Sequence, residues 1–154
     1  MLTKINLLKK EEDQKRIKIK LGIIIFITII YKMIDYRNIE KETLKNKNYR
    51  KVLYTVPGKN QLVLMSLKPG EDIPKEIHQH TSQFFRIEKG KGIAIVGDKT
   101  YRLKDGMSLI IPPNKKHYIK NTSKTEDLKI YTIYSPGVHP PNRVDKRQPL
   151  NDEH

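Results

Sequence analysis

The sequence predicts an all-β sandwich or barrel, because short apolar runs alternate with turn residues from Lys51 onward. Runs such as KVLYTV, QLVLMSL, QFFRIEKG and LKIYTIY are rich in β-branched and aromatic residues, which favour strands. Turn sequences such as PGKN, KPGED, GDK and KDG separate some of these runs, at spacings of about 8–12 residues. After Arg50 no apolar stripe of helical period is long enough to compete.

The composition fits one ordinary domain with an appendage. The chain has 154 residues, which is enough to bury a core. It carries 31 Lys and Arg against 17 Asp and Glu, a net charge of +14 that raises nucleic acid or an anionic membrane as a partner. We favour neither, because the basic residues are scattered along the sequence and no aromatic-interleaved RNA-binding signature is present. The absence of cysteine excludes disulfides and thiolate sites, and fits the cytoplasm.

Three regions follow from the pattern: a basic extension over residues 1–35, a domain over 36–138 and a Pro-rich polar arm over 139–154. The extension contains the apolar run LGIIIFITIIYKMI, residues 21–34, which is shorter than the roughly 20 residues that span a bilayer. Three interpretations stay open. The run is a membrane anchor, or it docks on the domain, or it precedes a functional chain whose translation starts at Met33.

The stretch EIHQHTSQFF concentrates metal-ligating residue types. His78 and His80 are two residues apart, so on a strand their side chains share a face. In the next strand the charged set must face solvent, which places Gln83 on the inner face beside two apolar neighbours. His117 opens the later run HYIKN and can close the site from an adjacent strand. A single histidine is more often a surface or core residue, so the hypothesis depends on the combination.

Residues 70–121 resemble the cupin superfamily, whose first motif runs Gly, a spacer, His-x-His, three or four residues, Glu, six residues and Gly. The spacer before the histidine pair is longer here than is usual in the family, and the gap after the pair is one residue shorter. Glutamine also replaces the family's glutamate. The matching positions are Gly70, His78, His80, Gln83 and Gly90.

The second cupin motif is nearly complete in GMSLIIPPNKKHYIKN. Its one substitution places asparagine where the family has glycine, and asparagine tolerates the left-handed conformation that glycine supplies. The matching positions are Gly106, Pro112, Asn114, His117 and Asn121.

The resemblance extends from about Tyr36 to the C-terminal region, and segments such as NYRKVLYT and QLVLMSLKPGE look like small single-domain cupins of the mannose-6-phosphate-isomerase-like subgroup. It implies a double-stranded β-helix, the jelly-roll or cupin barrel, with an N-terminal extension. It also implies a divalent metal ion, such as Zn, Fe, Mn or Ni. The expected ligands are His78, His80, Gln83 and His117.

A site of three imidazoles and an amide keeps the full divalent charge, so we expect a small anionic ligand. Lys115 and Lys116 can reinforce that preference, although an exposed soluble turn is the simpler interpretation. No general base stands out. The hypotheses are therefore a metal-dependent isomerase- or dioxygenase-type enzyme acting on an anionic or sugar-like substrate, a non-catalytic sensor, and a basic protein that binds nucleic acid or membrane through its first 50 residues. A homodimer formed through sheet edges is also expected.

Overall fold

The computed structural model describes residues 12–24 and 34–150 of the chain. Residues 12–24 are helical (α1) and belong to a first compact unit, Met1–Tyr36, whereas Arg37–His154 forms a second. Within the described ranges, no helix combines the length and the apolar character that a membrane crossing requires. Most of the proposed anchor, residues 25–33, lies outside the described residues, and the alternative start at Met33 lies there as well.

The described residues of the second unit form one helix and ten strands, and the strands lie in two antiparallel sheets. The first sheet has the order β10-β1-β2-β9-β4-β7 and the second the order β3-β8-β5-β6. This arrangement confirms the prediction of an all-β double-stranded β-helix. The elements are α2 (Ile39–Lys45), β1 (Arg50–Thr55), β2 (Gln61–Leu67), β3 (Asp72–Glu76), β4 (Ser82–Lys89), β5 (Lys91–Val96), β6 (Lys99–Lys104), β7 (Ser108–Ile111), β8 (His117–Asn121), β9 (Leu128–Ser135) and β10 (Val144–Asp145).

Alternating side chains of both sheets form the core. On β4, Gln83, Phe85 and Ile87 are buried, as the alternation predicts, while Phe84 and Arg86 between them are only half-buried. The long strand β9 pairs with both β2 and β4, so it holds the centre of the six-stranded sheet. The buried cluster includes Tyr49, Val52, Val63, Met65, Leu67, Ile73, Phe85, Ile87, Ala94, Leu103, Ile111, Ile119, Leu128, Ile130 and Tyr134.

Helix α2 is an element that the sequence pattern did not predict, because seven residues are too few for a periodic apolar stripe. The side chain of Asn38 caps it by accepting a hydrogen bond from the Lys41 amide at 2.9 Å. The segment after the helix is tied to the six-stranded sheet by Lys129. Its buried ammonium donates to the Asn46 carbonyl at 2.6 Å and to the Ser66 hydroxyl at 2.8 Å.

The polar C-terminal region, residues 139–150 as described, is also anchored to the six-stranded sheet. The short strand β10 extends that sheet beyond β1, and the guanidinium of Arg50, whose residue is only 1% exposed, lies 3.1 Å from the Asp145 carboxylate. The amide of Gln61 donates to the His139 carbonyl at 2.7 Å and accepts from the His139 amide at 3.0 Å. These partners are remote in sequence, so the Pro-rich pattern alone indicated only an irregular arm.

Two motif glycines provide a matched test of the fold, because Gly90 and Gly106 have similar positive φ values of 93° and 85°. A Cβ at Gly90 would lie 2.6 Å from the Asp127 carbonyl oxygen, whereas one at Gly106 would meet nothing within 4 Å. We expect Gly106→Ala to cost about 1–2 kcal/mol from the left-handed backbone alone. Gly90→Ala should cost roughly a further 1–3 kcal/mol, because the backbone before β9 must shift.

Urea unfolding of the two glycine variants measures this difference. Equal destabilisation would contradict the close approach of Asp127 to Gly90.

Candidate metal centre

Glu76 reaches the barrel interior through an irregularity in β3. This strand lies at the edge of the four-stranded sheet, where Pro74 is tolerated because its missing amide would face outward. The register with β8 shifts between Ile73 and Glu76, which places Glu76 opposite His117. A bulge of this kind redirects the side chains that follow it. The Glu76 side chain is only 7% exposed.

His78 lies in the loop that follows β3, and it is held there through its backbone. Its carbonyl accepts a hydrogen bond from the Asn114 amide at 2.8 Å. Asn114 has a φ of 62°, which confirms the expectation that asparagine here adopts the left-handed conformation. The His78 ring packs edge-on against Tyr134 at 5.7 Å, and its Nε2 atom lies 3.3 Å from Glu76 Oε1. The two loops before β4 and β8 thus fix this imidazole together.

His117 is the first residue of β8, and its tautomer is set by a backbone carbonyl. Its Nδ1 atom lies 2.9 Å from the carbonyl oxygen of Lys115. A carbonyl only accepts hydrogen bonds, so Nδ1 carries the proton and the lone pair of the neutral ring is on Nε2. This Nε2 atom lies 3.0 Å from Glu76 Oε1 and 3.0 Å from Gln83 Oε1. His117 is 1% exposed, so these contacts are shielded from water.

The fourth candidate metal ligand, Gln83, comes from β4 in the opposite sheet. Its strand pairs with β7 and β9, where Ile111 and Tyr134 are its cross-strand neighbours. The amide oxygen points toward His117, while the amide nitrogen is buried without a hydrogen-bond partner among the described residues. Gln83 is therefore oriented as an acceptor that faces the cluster.

With His117 neutral in this tautomer, the cluster joins atoms that accept hydrogen bonds but do not donate them. Candidate ligand atoms of Glu76, His78 and His117 lie within 4.8 Å of one another, and Gln83 Oε1 contacts the same His117 nitrogen. A carboxylate, an amide oxygen and a neutral imidazole lone pair repel at about 3 Å unless a cation or a proton lies between them. Oxygen and imidazole ligands together suit Zn, Fe, Mn or Ni. The donor set therefore fits a divalent metal ion.

Three of the four sequence-predicted ligands, His78, Gln83 and His117, lie together in this cluster. His80 is exposed, and the described cluster contains Glu76 instead. The sequence did hold the signal for Glu76. Shifting the first motif by two residues, to Glu76-x-His78, shortens the spacer after Gly70 from seven residues to five and leaves four residues before Gln83. With this alignment, both the spacer after Gly70 and the gap before Gln83 have the usual length. The acidic residue then occupies the first position of the His-x-His pair, while Gln83 occupies the position where the family has glutamate.

Asn121, the last residue of the second motif, has a structural role. Its fully buried amide donates to the Leu67 carbonyl at 2.9 Å and to the Glu126 carbonyl at 2.8 Å, and its oxygen accepts from the Ser123 amide at 2.8 Å. These bonds hold the loop between β8 and β9 against the end of β2. Asn121 therefore positions strands and is not a ligand of the cluster.

The two tyrosines with hydroxyls near the motifs do not supply a base at neutral pH. Burial, then the hydrogen bond to Asp72 and the charge of that carboxylate, raises the pKa of Tyr118 to about 12. Burial and the nearby Glu88 carboxylate also raise the pKa of Tyr131, although Arg86 opposes the shift. Both phenols therefore stay protonated at neutral pH.

Comparisons with known proteins agree with this architecture. The family model for the cupin domain matches residues 63–134. The chain is 52% identical over 115 residues to uncharacterized protein L612 of Acanthamoeba polyphaga mimivirus, and this match covers 73% of the chain and 71% of L612. It is 41% identical over 110 residues to uncharacterized protein YrkC of Bacillus subtilis, covering 67% of the chain and 58% of YrkC.

A solved structure shows the same fold. BH2720 from Bacillus halodurans superposes with a TM-score of 0.70 at 36% identity, covering 73% of this chain and 88% of that protein. Together with the motifs and the two-sheet barrel, these findings establish the class as a β-barrel of the jelly-roll type. The chain belongs to the cupin superfamily.

Asn121→Ala tests the separation of structural and ligating roles. We expect a loss of about 3 kcal/mol in the free energy of unfolding, because two carbonyls and one amide lose a buried partner. Metal stoichiometry of the folded protein should not change. Urea unfolding and metal analysis check this, with the exposed neighbour Thr122→Ala as the control. Unchanged stability combined with loss of metal would contradict the structural assignment.

Proposed function

We propose that this cupin binds a divalent metal ion through Glu76, His78, Gln83 and His117, and that it takes a small anionic ligand at that ion. The observation that carries the proposal is the convergence of acceptor atoms on His117 Nε2, with 3.0 Å to both Glu76 and Gln83. His80 as a ligand stays a prediction from the sequence, and the metal measurements below include it.

The residues around the cluster prepare it for a cation. The Lys115 carbonyl holds His117 in the tautomer whose Nε2 lone pair faces inward, as a carbonyl that accepts from the other ring nitrogen usually does for a ligating imidazole. Ring contacts with Tyr134 and Phe85 restrict the two imidazoles. When bound, a divalent ion would supply Lewis-acid polarisation of a ligand oxygen.

Glu76 changes the expected charge of the site. With one carboxylate among the ligands, a divalent ion keeps a net charge of about +1 instead of +2. That charge still favours an anion. The exposed lysines Lys75 and Lys116 line a groove of about 180 Å³ that also reaches His117, so the surroundings add positive potential. A carboxylate, an enediolate or a phosphate meets these requirements.

Binding is the function that the geometry supports best, and turnover is the second candidate. An isomerase- or dioxygenase-type reaction needs a group that moves a proton or positions a substrate beside the metal. Glu76 is occupied as a ligand in this proposal, and Tyr118 has a pKa of about 12 and bonds to Asp72. The feature that favours turnover is the cluster of candidate ligands itself. A metal ion held there would supply Lewis-acid chemistry if substrate could reach it.

The homodimer stays a prediction from the sequence. The strands at the edges of the two sheets are β7 and β10 in one and β3 and β6 in the other. Any pairing through sheet edges would use these strands.

The metal site is tested by elemental mass spectrometry of the full chain after reconstitution with Zn, Fe, Mn or Ni. We expect near-stoichiometric metal in the parent, and a loss of affinity of at least about tenfold in Glu76→Gln and His117→Ala, because each variant loses a ligand. Affinity should also fall as the pH is lowered, because protons compete for the imidazole lone pairs.

His80→Ala is the matched control, since His80 is exposed and lies outside the cluster. Circular dichroism and thermal melting confirm that each variant folds. Metal retained in folded His117→Ala, or lost in His80→Ala but not in Glu76→Gln, would contradict the proposed ligand set.

The substitution Gln83→Glu tests the site by a predicted gain in metal affinity. A second carboxylate beside Glu76 should raise metal affinity by about tenfold or more, because it offsets more of the ionic charge. Without metal, the two carboxylates repel, so the apo protein should melt at a lower temperature. The expected signature is a larger metal-induced rise in melting temperature than in the parent. Gln14→Glu, at an exposed residue of α1, is the control, and an equal rise in both variants would contradict the role of Gln83.

A further inference from the structure

The outer face of the four-stranded sheet is defined by strand register. Cross-strand partners share a face, and the partners Gly92–Leu103 and Ala94–Ile119 lie inward because Leu103, Ala94 and Ile119 are buried. The alternate positions therefore point outward. They are Asp72 on β3, Tyr118 and Lys120 on β8, Lys91, Ile93 and Ile95 on β5, and Thr100, Arg102 and Lys104 on β6.

Basic side chains are concentrated on this outer face. Lys91 lies directly opposite Lys104, and Ile93 lies between Arg102 on one side and Lys120 on the other. None of these four cations makes an ion pair with another residue in the described part of the chain. Like charges on neighbouring strands destabilise a sheet, so an unpaired cluster of this kind indicates a partner of opposite charge.

Two grooves follow β5 along this face. The first has a volume of about 540 Å³, and its lining includes Lys91, Ile93, Arg102 and Lys104. The second, of about 180 Å³, contains Ile95, Tyr118, Lys75 and Lys116. Because Ile93 and Ile95 are successive outward residues of one strand, the grooves lie in line, about 7 Å apart at their nearest lining positions.

We infer that this outer face binds single-stranded nucleic acid along β5. The basic rims would contact successive phosphates, while Ile93, Ile95 and the ring of Tyr118 offer apolar surface to the bases. A positively charged groove that follows the backbone, combined with aromatic side chains on which bases stack, is the general design of sequence-tolerant single-strand binding. Tyr118 is the aromatic residue among the outward positions named above. The four basic side chains of the strands and the two isoleucines point away from the barrel interior, while the second groove also reaches His117.

The linear arrangement favours a chain-like polyanion over a membrane surface. A membrane presents charge equally in all directions of its plane, whereas the two grooves follow one strand. No ion pair among the described residues crosses either groove. One acidic side chain offsets part of the positive potential at the β3 edge, because Asp72 is the cross-strand partner of Lys120. Asp72 is the one carboxylate among the outward positions named above, and it accepts hydrogen bonds from Tyr118 at 2.8 Å and from Gln148 at 2.9 Å. Asp98 and Asp105 lie in the turns that flank β6.

The test is fluorescence anisotropy of the full chain with labelled oligo-dT and oligo-rU of about 12 nucleotides. The variant replaces Lys91, Arg102, Lys104 and Lys120 by Gln. We expect at least tenfold weaker binding at about 50 mM salt. The slope of log affinity against log salt should also fall by about 3, since each phosphate contact on a single strand contributes about 0.7. Comparing oligo-dT with oligo-rU identifies which nucleic acid is preferred, and either preference supports the inference.

The matched control removes the same four charges elsewhere, at the exposed residues Lys41, Lys45, Lys47 and Lys59. It should keep the parent affinity and slope, and thermal melting checks that both variants fold. Equal weakening in both variants would overturn the inference, because binding would then follow net charge alone. Absence of binding, tighter binding to a duplex of the same length, or binding only to phosphatidylserine vesicles would overturn it as well.

Discussion

The site depends on one constraint: a carboxylate oxygen and an amide oxygen are both held against the same buried imidazole nitrogen. Glu76 Oε1 and Gln83 Oε1 each lie 3.0 Å from His117 Nε2. Packing would not select this arrangement by itself, because acceptor atoms brought to about 3 Å in a buried place repel one another. The fold nevertheless directs all three inward from different strands. A cation at their centre turns the repulsion into attraction, which is why the geometry argues for a metal more strongly than the histidine count does.

The rest of the barrel can be understood as support for that arrangement. The Lys115 carbonyl orients His117, and the Asn114 amide holds the loop that carries His78. Both supports come from the turn before β8, the segment that the second motif specifies. Asn121 fixes the other end of the same strand by donating to the carbonyl of Leu67 at the end of β2 and to that of Glu126 in the following loop. The motif thus fixes one strand at both ends and leaves its first side chain free to ligate.

The sequence predicted those parts of the structure that depend on local period. Alternation along β4 correctly predicted that Gln83 faces inward. The opposite assignment would have buried the charged Arg86, so the pattern allowed one choice. The inward position of Glu76 could not be predicted in the same way, because the register of β3 shifts just before it. Strict alternation of side chains fails across a bulge. Helix α2 and strand β10 could not be predicted from the sequence pattern either. Their stability comes from partners far along the chain, such as Asp145 for Arg50.

The basic character of the chain shows why sequence spread is a poor guide to surface clustering. Lys91, Arg102 and Lys120 come from three different strands, so along the sequence they look scattered. Antiparallel pairing places all three around Ile93. Strand β8 then carries two chemistries on opposite faces. His117 points to the acceptor cluster inside, and Lys120 points to the basic face outside, because successive side chains of a strand alternate. One strand therefore presents a candidate metal ligand on one face and a basic side chain on the other.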